Sequence, residues 1–130
     1  MPQAANLVVN NASAVAKTFT LMSPAAGDGG LAVFQLKEGG SPVAYPTLTA
    51  LARATANQSR KAQVRYRHPY SYTETTTGLI KAGPAFEVNV DASIPYAFPE
   101  TLRPDAIALV SNLIAHALIK EMLRDGYPLV

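Results

Sequence analysis

Between Pro46 and Pro69 the segment PTLTALARATANQSRKAQVRYRHP alternates apolar and polar side chains with a period of two on either side of a short polar turn. Thr47, Thr49, Leu51, Arg53 and Thr55 share one parity, and Leu48, Ala50, Ala52 and Ala54 share the other. Past the turn, Lys61, Gln63, Arg65 and Arg67 fall on one face, and Ala62, Val64, Tyr66 and His68 on the opposite one. Successive side chains of a strand point to opposite sides, so this is the pattern of two strands, each with one apolar face, paired through a tight turn.

The same reading extends along the chain. Short apolar runs over 6–10 and 17–22, the second alternating Thr18, Phe19, Thr20 and Leu21, predict an N-terminal hairpin. SPAAGDGG (23–30) is dense in turn residues and predicts a plain connector; no Lys-Ser/Thr follows its GDGG, so it is not a phosphate loop. LAVFQL (31–36) predicts a third strand, ended by the turn cluster KEGGSP (37–42). SYTETTTGLIKAGP (71–84) reads as a long polar loop punctuated by Gly78, Gly83 and Pro84, and as a candidate contact surface. AFEVNVDASI (85–94) alternates again, with Phe86, Val88, Val90 and Ala92 against Glu87, Asn89, Asp91 and Ser93. Placed beside the strand ending at His68, its polar row would continue the basic face. Glu87 and Asp91 would then accept from base amino groups or pair with Arg65 and Arg67.

After Pro95, Pro99 and Pro104 the period changes. Residues 105–124 follow a helical pattern, with Asp105 near the N-terminal end, Lys120 and Arg124 near the C-terminal end, and Gly126 as the stop. Both a continuous helix and one broken near Ala115 to Ala117 fit. The segment is apolar nearly all round, through Ile107, Leu109, Val110, Leu113, Ile114, Leu118, Ile119, Met122 and Leu123. Such a helix must be covered on several sides. One sheet covers one side, so an obligate dimer is expected, with the helix packed over the partner chain through Ile107, Val110, Leu113, Ile114 and Leu118.

Composition narrows the chemistry. The 130 residues, 48% hydrophobic, fit one domain over 1–130. Without cysteine there is neither a disulfide framework nor a thiolate metal site. No secretory leader is expected from MPQAANLVVNN, and the longest apolar stretch, 106–119, is too short for a bilayer, which takes about 20 residues. The two histidines, His68 and His116, sit in apolar patterns, and no HExxH, GxSxG, paired carboxylates or metal-ligand cluster appears. The expectation is a non-enzyme with no catalytic residue, no metal site, no cofactor and no small-molecule substrate.

The formal charge is only +2, so the position of the charge matters more than its total. Arg53, Arg60, Lys61, Arg65 and Arg67 lie in a segment without an acid. Two readings fit: a solvated sheet face, for which Thr, Lys, Arg and Gln are ordinary residues, and a flat basic surface for a polyanion.

The ordered set of parts resembles the coat protein of the single-stranded RNA bacteriophages, of levivirus type, over essentially the whole chain. TLTALARATANQSRKAQVRYRHP is similar to that family's central strand pair, FEVNVDASIP to its last strand with an Asn and an acid two apart, and LIAHALIKEMLRDGYPLV to its C-terminal helix and ending. The resemblance implies an α+β fold with an N-terminal β-hairpin, an antiparallel meander sheet, and C-terminal helices that interlock in a dimer with a continuous intersubunit sheet. It implies a virion capsid protein, present in the bacterial host cytoplasm during assembly, that builds an icosahedral shell around single-stranded RNA. Repression of replicase translation through an RNA hairpin belongs to the same implication. The implied RNA-facing residues are Thr49, Arg53, Thr55, Ser59, Lys61, Gln63, Arg65, Asn89 and Asp91, with Lys61 and Arg65 on phosphates and Thr49 at an adenine. The implied role of 71–84 is contact around the shell's symmetry axes, with Gly78 and Gly83 allowing different shapes. Two positions depart from the family pattern: Glu87 stands where some members carry a base-stacking Tyr, and Leu51 where a Ser is frequent. The alternative is a dimeric RNA-binding regulator that forms no shell; an enzyme with a site in 71–84 is the third reading.

Overall fold

The computed structural model describes residues 2–38 and 41–130, so Gly39 and Gly40 of the KEGGSP turn lie outside the described residues. The chain divides into two compact units, with the boundary between Ile94 and Pro95. The first contains β1 (Leu7–Asn10), β2 (Ala16–Ser23), β3 (Leu31–Gln35), β4 (Thr47–Thr55), β5 (Ser59–His68), β6 (Ser71–Thr73), β7 (Ile80–Ala82) and β8 (Phe86–Pro95). Six strands form one sheet in the order β1-β2-β3-β4-β5-β8, a meander in which β8 returns beside β5.

The β4–β5 hairpin is its most regular part. Nine consecutive residue pairs run from Thr47↔Arg67 to Thr55↔Ser59 without a bulge. Gln58, at φ 52°, supplies the left-handed residue that closes its three-residue turn. β3 pairs with β4 from Leu31↔Leu51 to Gln35↔Thr47. One row across the sheet is therefore Leu21, Phe34, Leu48 and Tyr66, and the next is Ala32, Ala50 and Val64. Phe34 and Phe19 are the large side chains buried on this face, at 6% and 8% exposure. The Phe19 ring meets Tyr66 edge-on at 6.2 Å, so side chains of β2 and β5 meet on the same face of the sheet. Burial pushes the Tyr66 phenol upward, and its Oη lies 2.6 Å from His68 Nδ1, so His68 is tied to a structural tyrosine.

Two sequence expectations are corrected. The connector 23–30 is more than a plain one. Gly29, at φ 82°, donates its amide to Ala52 O at 2.8 Å, and Asp28 accepts from Ala54 N at 3.2 Å, so the loop extends the edge of β4 beyond the end of β3. Asp28 also forms an ion pair with Arg60. Arg60 lies opposite Ala54, on the apolar parity, and does not belong to the basic face. The segment 71–84 is likewise not a plain loop. β6 and β7 pair from Ser71↔Ala82 to Thr73↔Ile80. Glu74 ties the hairpin together by accepting from Thr77 Oγ1 at 3.1 Å and pairing with Lys81. Gly78 turns the chain at φ 70°, and Gly83 leaves room for the Tyr70 ring, which an added Cβ would overlap at 2.1 Å.

The second unit holds α1 (Arg103–Ile114) and α2 (Ala117–Asp125). The helical segment is broken, with a bend of 58°. His116 leaves the helix at ψ 140° and its Nδ1 accepts the Leu118 amide at 3.2 Å, so the histidine is the N-cap of α2. Gly126, at φ 75°, ends α2 by donating to Met122 O at 2.8 Å. The break also corrects the picture of one uniformly apolar helix: α1 has little amphipathic bias, whereas α2 is strongly two-faced. Neither has a buried residue within the chain, and Ile107 and Leu113 are 59% and 60% exposed. Among the described residues no single helix is long and apolar enough to cross a membrane.

The Asp28 clip gives a pH prediction. The hydrogen bond from Arg60, then that from the Ala54 amide, holds the Asp28 carboxyl below its ordinary value. A depressed folded-state pKa contributes stability that is complete above the unfolded value, about 3.9, and is lost as pH falls through the lower folded value. Urea unfolding of the wild type and Asp28→Asn is expected to differ by a constant amount from pH 7 to pH 5 and to converge below pH 4. A difference independent of pH would show that the clip acts by shape and not by charge.

Candidate nucleic-acid interface

The face of β4 and β5 opposite the phenylalanines is built by the register alone. Thr47 faces Arg67, Thr49 faces Arg65, Leu51 faces Gln63, Arg53 faces Lys61, and Thr55 faces Ser59. The seven sequence-predicted residues of this hairpin, Thr49, Arg53, Thr55, Ser59, Lys61, Gln63 and Arg65, therefore share one surface. β8 brings Asn89 to it, because Asn89 and Glu87 line one concavity with Thr47, Thr49, Arg65 and Arg67. Asp91 follows on the same parity of β8.

The cations of the hairpin divide into two groups. Arg60 is neutralised by Asp28 on the apolar side, and Arg67 by Glu87 at 3.5 Å. No hydrogen bond or ion pair among the described residues engages the side chains of Arg53, Lys61 or Arg65. Arg53 and Lys61 even stand directly opposite one another, an arrangement that destabilises a strand pair. Polar groups near the turn are less available: Thr55 Oγ1 lies 2.7 Å from Ser59 Oγ and donates to Ser59 O at 3.0 Å. The two strand acids follow different courses, since Glu87 pairs with Arg67 while Asp91 forms no ion pair among the described residues.

Thr47, Arg67 and Glu87 border the concavity, about 380 Å³ in volume, but were not among the predicted contacts. The hairpin register would have found the first two, because they are the next pair beyond Thr49 and Arg65 on the same parity. Chemically the surface offers unpaired guanidinium and ammonium groups, hydroxyl and amide donors, and one carboxylate beside an arginine. Among the described residues no group of three or more His, Asp or Glu side chains is arranged to hold a metal ion.

A sheet of this order, followed by two helices and carrying a cationic face, defines an α+β coat-protein fold. The levivirus coat protein family profile matches residues 2–128, and the chain belongs to that family, whose members are structural proteins of the virion and not enzymes. No curated protein sequence matches significantly. Solved structures with the same fold include the virus-like particle of bacteriophage NT-214, at TM-score 0.84 and 20% identity, covering 99% of this chain and 100% of that one. The virus-like particle of Beihai levi-like virus 21 aligns at TM-score 0.85 and 18% identity, over 99% of both chains. The capsid protein of bacteriophage GA aligns at 0.73 and 17%, over 95% of both.

The opposed Arg53 and Lys61 make a stability prediction. Lys61→Thr removes the repulsion and places a strand-favouring residue there, so unfolding in urea at low salt is expected to require about 0.2–1 kcal/mol more free energy. The gain should shrink at 1 M salt, where screening removes most of the repulsion.

Proposed function

We propose that the chain is a capsid subunit that pairs with a second copy, assembles into an icosahedral shell, and lays the face of β4, β5 and β8 opposite the phenylalanines, turned to the shell interior, against single-stranded RNA. Both units act within one coat-protein domain, and the same surface takes an RNA hairpin in translational repression. The observation that carries the RNA reading is the uncompensated set Arg53, Lys61 and Arg65 in a chain that neutralises Arg60 and Arg67 nearby. Cations left unpaired side by side cost stability, and a phosphate backbone is the partner that recovers it.

Self-association is supported by the surface left over. Ile107, Val110, Leu113, Ile114 and Leu118 are all exposed in one copy, and the small-residue shelf of Ala50, Ala52, Ala62 and Val64 borders an apolar recess of about 710 Å³. A helix of a second copy is the element that would fill that shelf. The relatives solved as virus-like particles, with the same fold over nearly their whole length, support assembly beyond the dimer.

Two substitutions separate the surfaces. Lys61→Ala with Arg65→Ala is expected to leave the dimer intact, to reduce the RNA content of particles, and to lower the salt slope of single-stranded RNA binding by about 1.4, about 0.7 for each lost phosphate contact. An unchanged slope would place RNA elsewhere. Leu113→Asp is expected to abolish particles and dissociate the dimer on a sizing column, because a charge buried between chains without a partner costs several kcal/mol. A variant that still forms particles would remove α1 from the interface.

A further inference from the structure

Glu87 is out of place on a surface meant for phosphate. It stands on β8 at the border of the 380 Å³ concavity, which Asn89 and Arg65 also line, and its carboxylate would repel a polyanion drawn in by Arg53, Lys61 and Arg65. Its only ion pair among the described residues is with Arg67, from Nε to Oε1 at 3.5 Å, and both side chains remain more than half exposed. An exposed pair of this kind adds at most about 1 kcal/mol to the fold, so structural stability does not account for it. What the pair does provide is a chemical pattern. Guanidinium N–H donors lie next to a carboxylate with two acceptor oxygens, all facing an open concavity at the small end of the ligand-binding range, about 300–1,000 Å³.

That pattern is the complement of one nucleobase edge. In single-stranded RNA the Watson–Crick edge of a splayed base is free to be read. Guanine presents O6 as an acceptor, followed by two donors, N1–H and N2–H. It is the one RNA base that offers two adjacent N–H groups to the two oxygens of a carboxylate. Uracil would set its O2 carbonyl against a carboxylate oxygen, and adenine and cytosine each offer one exocyclic amine where guanine offers two donors. A bidentate, charge-assisted pair is the strong form of such recognition. The geometry therefore points to a subsite for one unpaired guanine, with Glu87 accepting from N1–H and N2–H, Arg67 donating to O6, and Arg65 left for the adjoining phosphate. Glu87 is thus a specificity residue on a surface whose cations, Arg53, Lys61 and Arg65, meet phosphates and are themselves blind to sequence. The assignment rests on the RNA-binding reading above and gives it a base preference.

The test uses the whole 130-residue chain and fluorescent nine-nucleotide RNAs, eight uridines around a central G, A, C or U, with affinity read by anisotropy at fixed salt. The strand with central G is expected to bind about tenfold more tightly than the all-uridine strand, and more tightly than those with A or C. Glu87→Gln keeps the size and removes the charge and one acceptor. It is expected to reduce the G advantage to below about threefold while leaving binding of the all-uridine strand equal or stronger. A wild type without preference for G, or a preference unchanged in Glu87→Gln, overturns the guanine subsite while salt-dependent binding of all four strands keeps the RNA reading intact. Failure of every strand to bind overturns both.

Discussion

Because successive side chains of a strand point to opposite faces, one register between β4 and β5 decides at once where the charge goes and where the apolar surface goes. Thr47↔Arg67 and its same-parity successors place Arg53, Lys61 and Arg65 on one side; Leu48↔Tyr66 and its successors place the small-residue shelf on the other. A slip of one residue would exchange the two faces completely. The register is held by features outside the hairpin. Phe19 presses on Tyr66 from β2, and Asp28 grips Arg60 and the Ala54 amide from the β2–β3 loop. Each of these contacts lies on the apolar side or at the strand edge, which leaves Arg53, Lys61 and Arg65 on the cationic side without partners among the described residues.

The hairpin and its faces were legible in the sequence because nine uninterrupted pairs give the period time to show itself. Other parts were not, for identifiable reasons. β6 and β7 are three residues each, too short for a period of two to stand out from the Thr- and Gly-rich composition around them. Arg60 looked like part of the basic row because its partner Asp28 is distant in sequence, and only the folded loop brings them together. The helix break falls at Ala115 and His116, neither of which is a helix breaker by type; the signal is the capacity of a histidine ring nitrogen to accept an amide hydrogen, which composition does not reveal. The implied RNA contacts on β4 and β5 share a face because parity alone places them. Thr47, Arg67 and Glu87 were passed over because the resemblance to the coat-protein family, and not the register, had defined the set.

A sequence specifies its fold when local preferences agree, and the points of disagreement tend to coincide with surfaces built for another molecule. Three such points occur here. Arg53 and Lys61 oppose like charges across a strand pair, α1 keeps apolar residues on all sides with none buried in its own chain, and Glu87 brings an acid to a cationic face. The first and third lie on the same surface and ask for different things, a phosphate backbone for the cations and a donor-rich base edge for the acid. A strand of RNA with one base turned toward the protein satisfies both, since its phosphates and bases project in different directions. The second lies on α1 and asks only for apolar cover, which a further copy of the chain would supply without any new chemistry.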